Sequence, residues 1–177
     1  CGLEEWRTLF SLWKDEPPTV RFDFLGDRLV TREGASWRAP MRVCEVLAVL
    51  SSTESGISAE RLQLKVFGDD STTTNVKATV SRIRRSVPIS QAPYRLSANV
   101  QSDFSELIEA VEAGELITAL DLYKGPLLPG SDAPAVVELR EYVDELLKGT
   151  ILRSSDVELM IRLGTMMEGD LEIWERA

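Results

Sequence analysis

The 177-residue chain contains no histidine. That absence removes Ser-His-Asp and Cys-His catalysis, imidazole metal ligands and a histidine pH switch together. Cysteine is nearly as scarce: Cys1 and Cys44 are the full complement, and a bridge between them would be a poor framework for a chain this long. Cys44 lies among Val43, Val46, Leu47, Val49 and Leu50, an apolar helical pattern that reads as a reduced core thiol with no base to activate it. No uninterrupted apolar run approaches the roughly 20 residues needed to span a bilayer. No nucleophile-and-base pair or ligand cluster emerges, and the clustered carboxylates fall on helix faces as solubilising charge. The chain is therefore expected not to be an enzyme and to use neither metal nor cofactor.

What is present is ordinary in amount and uneven in placement. With 44% hydrophobic and 28% charged residues, the composition is that of a soluble globular protein. The net charge of −9 speaks against nucleic acid only as an average. From Cys1 to Arg95 there are 14 Lys and Arg and 12 Asp and Glu, whereas Leu96 to Ala177 holds 6 and 17. Between Ser71 and Arg95 stand Lys77, Arg82, Arg84, Arg85 and Arg95 without a single acid. Charge is felt within a Debye length of about 8–10 Å, so this local stripe matters more than the total. A helix face that is merely solvated would interleave Glu, and this one does not.

Periodicity organises the chain. Leu3, Trp6, Leu9, Phe10 and Trp13 recur at helical spacing, so residues 1–19 read as a linker helix that needs a packing partner rather than as a polar lipoprotein tether. Together with the Cys1-Gly2 start, this suggests a piece of a larger protein. After Glu16-Pro17-Pro18, three short strands are predicted at Val20–Leu25, Arg28–Thr31 and Ala35–Arg38, separated by Gly26-Asp27 and Glu33-Gly34. Pro40 opens a helix to about Ser52, and Ser58 caps a second that Gly68-Asp69-Asp70 ends. Ser71 to Thr74 offers capping hydroxyls for a third, spanning about 72–87, whose Val76, Val80, Ile83 and Val87 form one apolar stripe. Pro88 stops it, and Ile89 to Leu96 reads as strand, turn and strand. Helix, helix, polar turn, basic helix and hairpin is the order of a winged helix-turn-helix.

The remainder is acidic and helical. Phe104, Leu107, Ile108 and Val111, then Leu116, Ala119, Leu120 and Tyr123, describe an αα-hairpin around Gly114. A longer helix comes after the Gly125–Pro134 loop, with Val136, Leu139, Val143, Leu146 and Leu147 apolar. Ser155-Asp156-Val157-Glu158 reads as a capping box for the next, and Asp170–Arg176 as a last one. The first and third of these helices lie about 34 residues apart, the tetratricopeptide period. The expected fold class is α+β: a winged helix at 20–98 with an N-terminal antiparallel sheet, then an all-α, tetratricopeptide-like domain at 99–177.

If the aliphatic stripe of the basic helix faces inward, Lys77, Ala78, Ser81, Arg82 and Arg85 face outward, flanked by Thr74, Asn75, Thr79 and Arg84. A major groove about 12 Å wide admits such a helix, small residues permit close approach, and an arginine reaches guanine O6 and N7. Thr73, Thr74 and Asn75, with the helix-start N–H groups, suit phosphate oxygens.

Here the sequence resembles a family. Arg21 to Ala98 is similar to winged-helix domains of OmpR/PhoB type, with Asn75 to Val87 matching their recognition helix and Pro93-Tyr94-Arg95-Leu96 their wing strand. Gly125-Pro126-Leu127-Leu128-Pro129-Gly130, Val137-Glu138-Leu139-Arg140 and Leu171 to Arg176 resemble the helical region C-terminal to this domain in actinobacterial regulators. Those include SARP-like proteins with a bacterial transcriptional activation domain and, closer still, one-component regulators with a GAF sensor. The resemblance implies base contact by Arg82 with Ala78 and Lys77, phosphate contact by Thr79, Ser81, Arg84 and Arg85, and a wing carrying Tyr94 and Arg95. Two positions depart from the pattern. Pro93 replaces the wing glycine, and the tip Ser90-Gln91-Ala92 has no basic residue for the minor groove.

The expected function is sequence-specific DNA binding by the effector part of a cytoplasmic bacterial transcription regulator. Double-stranded DNA is the expected partner, with RNA polymerase or an upstream sensor domain meeting the helical region, and a homodimer on DNA. No membrane partner is expected. The alternative is a protein-interaction module whose winged helix no longer binds DNA and whose tetratricopeptide-like part does the work. For Arg82, Arg84 and Arg85 the competing reading is salt bridging to the acidic half, which would mask the basic helix until DNA competes.

Overall fold

A computed structural model describes residues 19–53, 55–69, 71–167 and 171–176. The expected linker helix, apart from Thr19, lies outside the described residues, as does Asp170. Three N-terminal strands form as the alternation predicts: β1 (Thr19–Asp23), β2 (Leu29–Arg32) and β3 (Ala35–Arg38). They pair antiparallel in sequence order, with Phe22 opposite Val30 and Val30 opposite Trp37. One face is thus apolar: Val20, Phe22 and Val30 are fully buried, and the Phe22 and Phe24 rings lie 5.2 Å apart.

The sheet also has a strand that periodicity did not suggest. β4 (Asn99–Ser102) runs parallel to β1 and gives the order β3-β2-β1-β4. Its Asn-Val-Gln-Ser sequence has one apolar residue, so its conformation is set by pairing across the chain and not by pattern.

Between β3 and β4 lie α1 (Met41–Ser51), α2 (Ala59–Phe67) and α3 (Thr73–Ile83). The Ser58 hydroxyl accepts from the Arg61 N–H at 3.3 Å and caps α2 as expected. Cys44 is buried and free, its thiol pushed up to about 12, chiefly by desolvation. After β4 come α4 (Asp103–Glu112), α5 (Leu116–Leu122), α6 (Pro134–Ser154), α7 (Val157–Met166) and α8 (Leu171–Arg176). One expected cap is corrected. Ser155 ends α6 in the left-handed region, φ 57°, and it is the Asp156 carboxylate that accepts from the Glu158 and Leu159 N–H groups. Carboxylates at a helix start match the dipole as well as the orphan donors. No helix among the described residues is long and apolar enough to cross a membrane.

The winged helix and the tail share one core. α6 packs on α1 and α2, and α4 packs on β1; the buried apolar residues form a continuous cluster from Val20 to Ile173. The 124–128 loop closes over the end of β1: Gly26 donates to the Pro126 carbonyl at 3.0 Å, and Leu128 to Phe24 at 2.9 Å. Gly26 has φ 81°, and a Cβ there would come within 2.9 Å of the Lys124 oxygen, so only glycine fits. Deeper in this seam the buried Glu45 carboxylate accepts from the Ser131 hydroxyl at 2.6 Å and pairs with Arg42 at 2.8 Å.

Candidate nucleic-acid interface

The third helix is shorter than its apolar stripe implies. It ends at Ile83, four residues before the expected Val87, and the last turn tightens: Ser86 N–H bonds to Ile83 at 2.9 Å, an i to i−3 link. Arg32 of β2 donates to the Ser86 carbonyl at 2.8 Å, placing a cation at the negative helix end. At the other end Thr72 is the N-cap without a side-chain bond, while Asn75 donates to the Ser71 hydroxyl at 3.2 Å.

The stripe itself is where the periodicity predicts it. Val76, Val80, Ile83 and Val87 are buried. Thr74, Asn75, Lys77, Ala78, Ser81, Arg82 and Arg85 are exposed, with Thr73 and Thr79 half-buried at the flanks. Small residues at 78 and 81 beside Arg82 leave the outward face low between its cations. Among the described residues no ion pair engages Arg82, Arg85 or Arg95. The alternative pairing of the basic helix with the acidic half is therefore not found for Arg82 or Arg85. Among the described residues the ion pair that joins the two halves is Arg21 of β1 with Glu106 of α4, at 2.7 and 3.0 Å. Lys77 helps, through space, to hold the exposed Glu60 carboxyl below its usual range, after the larger effects of the Glu60 N–H and the Ser58 hydroxyl.

Arg84 departs from its expected place. It is half-buried; its Nε donates to the Ile89 carbonyl at 3.0 Å and its Nη2 to the Ser90 carbonyl at 2.6 Å. The guanidinium stands 5.6 Å over the Tyr94 ring, which is itself half-buried against the core. The wing is reduced to single bridges, Ile89 with Leu96 and Tyr94 with Ile57, because Pro88 and Pro93 cannot donate to a longer ladder. A groove of about 560 Å³, lined by Ser58, Lys77, Arg84, Gln91 and Tyr94 among others, separates the start of α2 from the wing. Sequence reasoning missed Ser90 and the Gly56–Ile57 segment as wing supports. Gly56–Ile57 acts through backbone bonds, which leave no compositional trace, and Ser90 through its backbone and its hydroxyl together, a role that a serine in a loop does not announce.

No protein-family model matches the sequence. An uncharacterized 47.3 kDa protein in the thcA 5' region of Rhodococcus erythropolis is 28% identical over 155 residues, which are 85% of this chain and 36% of that protein. Among solved structures, Mycobacterium tuberculosis EmbR, determined in complex with a low affinity phosphopeptide, is similar at a TM-score of 0.50 and 17% identity. That match takes in 85% of this chain and 47% of the EmbR chain. The chain thus spans less than half the length of either protein. At this identity the likeness is one of fold alone, an N-terminal sheet and winged helix followed by helices.

Proposed function

We propose that this chain is the DNA-binding part of a bacterial transcription regulator, of the OmpR/PhoB and SARP-like kind, acting in the cytoplasm with α3 in the major groove. One observation carries the reading: a helix with a buried aliphatic stripe presents Lys77, Ala78, Ser81, Arg82 and Arg85 to solvent, with no ion pair on Arg82 or Arg85 among the described residues. In this reading Arg82 addresses a guanine edge, with Ala78 permitting approach and Lys77 beside it. Thr73, Thr74, Asn75, Thr79, Ser81 and Arg85 contact phosphate and fix the register. The EmbR-like fold supports it.

Residues 20–98 form the DNA-reading unit and residues 99–177 a tetratricopeptide-like unit fused to it through β4 and the common core. That second unit meets RNA polymerase or an upstream sensor, such as a GAF domain, and two copies occupy adjacent half-sites. The test is selection of bound sites from random duplexes, followed by a salt titration of the winner. A recovered motif, and log K falling with log[salt] by several units for about five neutralised phosphates, is the expected result. No duplex binding at low salt would overturn the proposal in favour of a protein-interaction module.

A further inference from the structure

Lys77, Arg82, Arg84, Arg85 and Arg95 make up the basic stripe, and within it the Arg84 guanidinium is already engaged. Two of its N–H groups point at consecutive wing carbonyls, Ile89 and Ser90, and its face meets Tyr94. A fork held in one plane over a ring face is a property of the guanidinium; a lysine ammonium has three donors but neither the fixed planar geometry nor a face to stack on Tyr94. Ser90 is in turn the hub of the wing. Its N–H donates to the Arg95 carbonyl at 2.8 Å. Its hydroxyl donates to the Pro93 carbonyl at 2.8 Å and accepts from the Arg95 N–H at 3.0 Å. Arg84 is therefore one residue removed from the backbone of Arg95.

The far side of the wing is held as firmly. Ile57 and Tyr94 exchange backbone bonds at 2.9 and 2.8 Å. Gly56, at φ 81°, lets Pro93 pack so close that a Cβ would stand 3.0 Å from its ring. That contact explains why the wing tolerates proline where the resembled pattern has glycine. Arg95 is the sole cation between Ile89 and Leu96, and its side chain is exposed and makes no ion pair among the described residues.

We infer that Arg84 is a positioning residue: it fixes the turn Ser90–Arg95 at a set angle to α3, so that Arg95 is the wing's contact to the DNA backbone. The inference rests on the DNA-binding reading. It replaces the phosphate role expected for Arg84 and gives a wing with a neutral tip a way to add affinity.

The experiment is a double-mutant cycle on the selected duplex, with Arg84→Ala, Arg95→Ala, the pair together, and Arg84→Lys, each checked for folding by circular dichroism. Arg95→Ala is expected to weaken binding roughly fivefold to tenfold and to lower the salt slope by about one. Arg84→Ala should do the same, the double variant should be no worse than Arg95→Ala, and Arg84→Lys should behave as Arg84→Ala. Losses that multiply, a slope that falls by about two in the double variant, or wild-type behaviour of Arg84→Lys would overturn the inference and return Arg84 to the phosphates. Amide exchange of Ser90 and Arg95 in the DNA-free protein separates this from failure of the DNA reading. Exchange should speed up in both Arg84 variants and stay unchanged in Arg85→Ala. Unchanged exchange in the Arg84 variants overturns the positioning role whatever the DNA does.

Discussion

Two sets of arginines in this molecule carry the same side chain and meet different fates. At the seam between winged helix and tail three guanidinium groups are occupied. Arg140 donates to the carbonyls of Leu127, Leu128 and Ser131 at 2.7, 2.8 and 3.0 Å. Arg42 bonds the Val66 carbonyl, pairs with Glu45 and lies 4.8 Å over Phe67, and Arg21 grips Glu106 through two bonds. On the outward face of α3, Arg82 and Arg85 have no ion-pair partner among the described residues. The difference comes from the backbone. Where a loop leaves carbonyls without helix or strand donors, a guanidinium is the natural donor; where the helix satisfies its own carbonyls, the cation stays available to an outside anion. Arg84 stands between the two sets, on the helix but turned to a loop.

The comparison is broken most forcefully at the seam. Arg140→Ala takes a donor from three carbonyls of a mostly buried loop, of which, among the described residues, Leu128 alone keeps another, the Ser131 N–H at 3.0 Å, and should cost roughly 3–5 kcal/mol of unfolding free energy, read by urea denaturation. The salt slope for DNA binding by the folded fraction should not move. A loss under about 1 kcal/mol would mean that the loop is held by its apolar contacts instead.

An anion at the same seam gives a pH-dependent version. Asp103 is buried at the start of α4, its two carboxylate oxygens accepting from the Leu25 and Phe104 N–H groups at 2.8 Å each. Desolvation outweighs those bonds and pushes its pKa up from 3.8 to about 6. A group raised in the folded state contributes stability that is fully present below its unfolded pKa and is lost as pH rises through the folded value. Between about pH 4 and pH 7 this contribution should fall by an amount on the order of 2–3 kcal/mol. Asp103→Asn does not titrate, so its deficit relative to wild type should shrink as pH rises across that window in urea melts. A constant deficit would place the carboxyl in a wetter setting than its burial implies.

The two regions also differ in how much of them is legible from residues alone. The outward face of α3 is dictated by Val76, Val80 and Ile83 repeating at helical spacing, because burial of that stripe leaves the other side no choice. The seam is not. Asn99–Ser102 becomes a strand by lying beside β1, and Glu45 finds Ser131 across 86 positions of sequence. Ser155 has the look of a cap but takes the left-handed turn, leaving the cap to Asp156. The end of α3 escapes local pattern for the same reason. Pro88 marks the last residue at which a helix must stop, but Arg32 and Arg84 attach the stretch after Ile83 to β2 and to the wing before Pro88 is reached. Local pattern gives faces; partners distant in sequence give ends.

The outward arginines of α3 should show the reverse of the seam. Arg82→Ala should cost about 1–3 kcal/mol of binding and relax preference at one base pair, measured by repeating the site selection with the variant. Its unfolding free energy should stay within about 0.5 kcal/mol of wild type, as for an exposed residue with no ion-pair partner among the described residues. Unchanged operator preference would show that the base-reading edge of α3 is elsewhere.

The smallest effect is the most discriminating. Arg85 is exposed on the turn after Ile83, where the chain has left the regular helix and begun to turn toward the wing. In the proposed DNA-binding reading, a guanidinium there meets the sugar–phosphate edge of a groove rather than its floor. Arg85→Ala should therefore weaken all duplexes alike, reduce the slope of log K against log[salt] by about one, and leave the selected motif intact. Arg82 and Arg85 share exposure and charge and differ in one respect, the helical turn that separates them. If Arg85→Ala altered the motif while Arg82→Ala altered only the slope, the axis of α3 would lie tipped across the groove, its C-terminal end innermost.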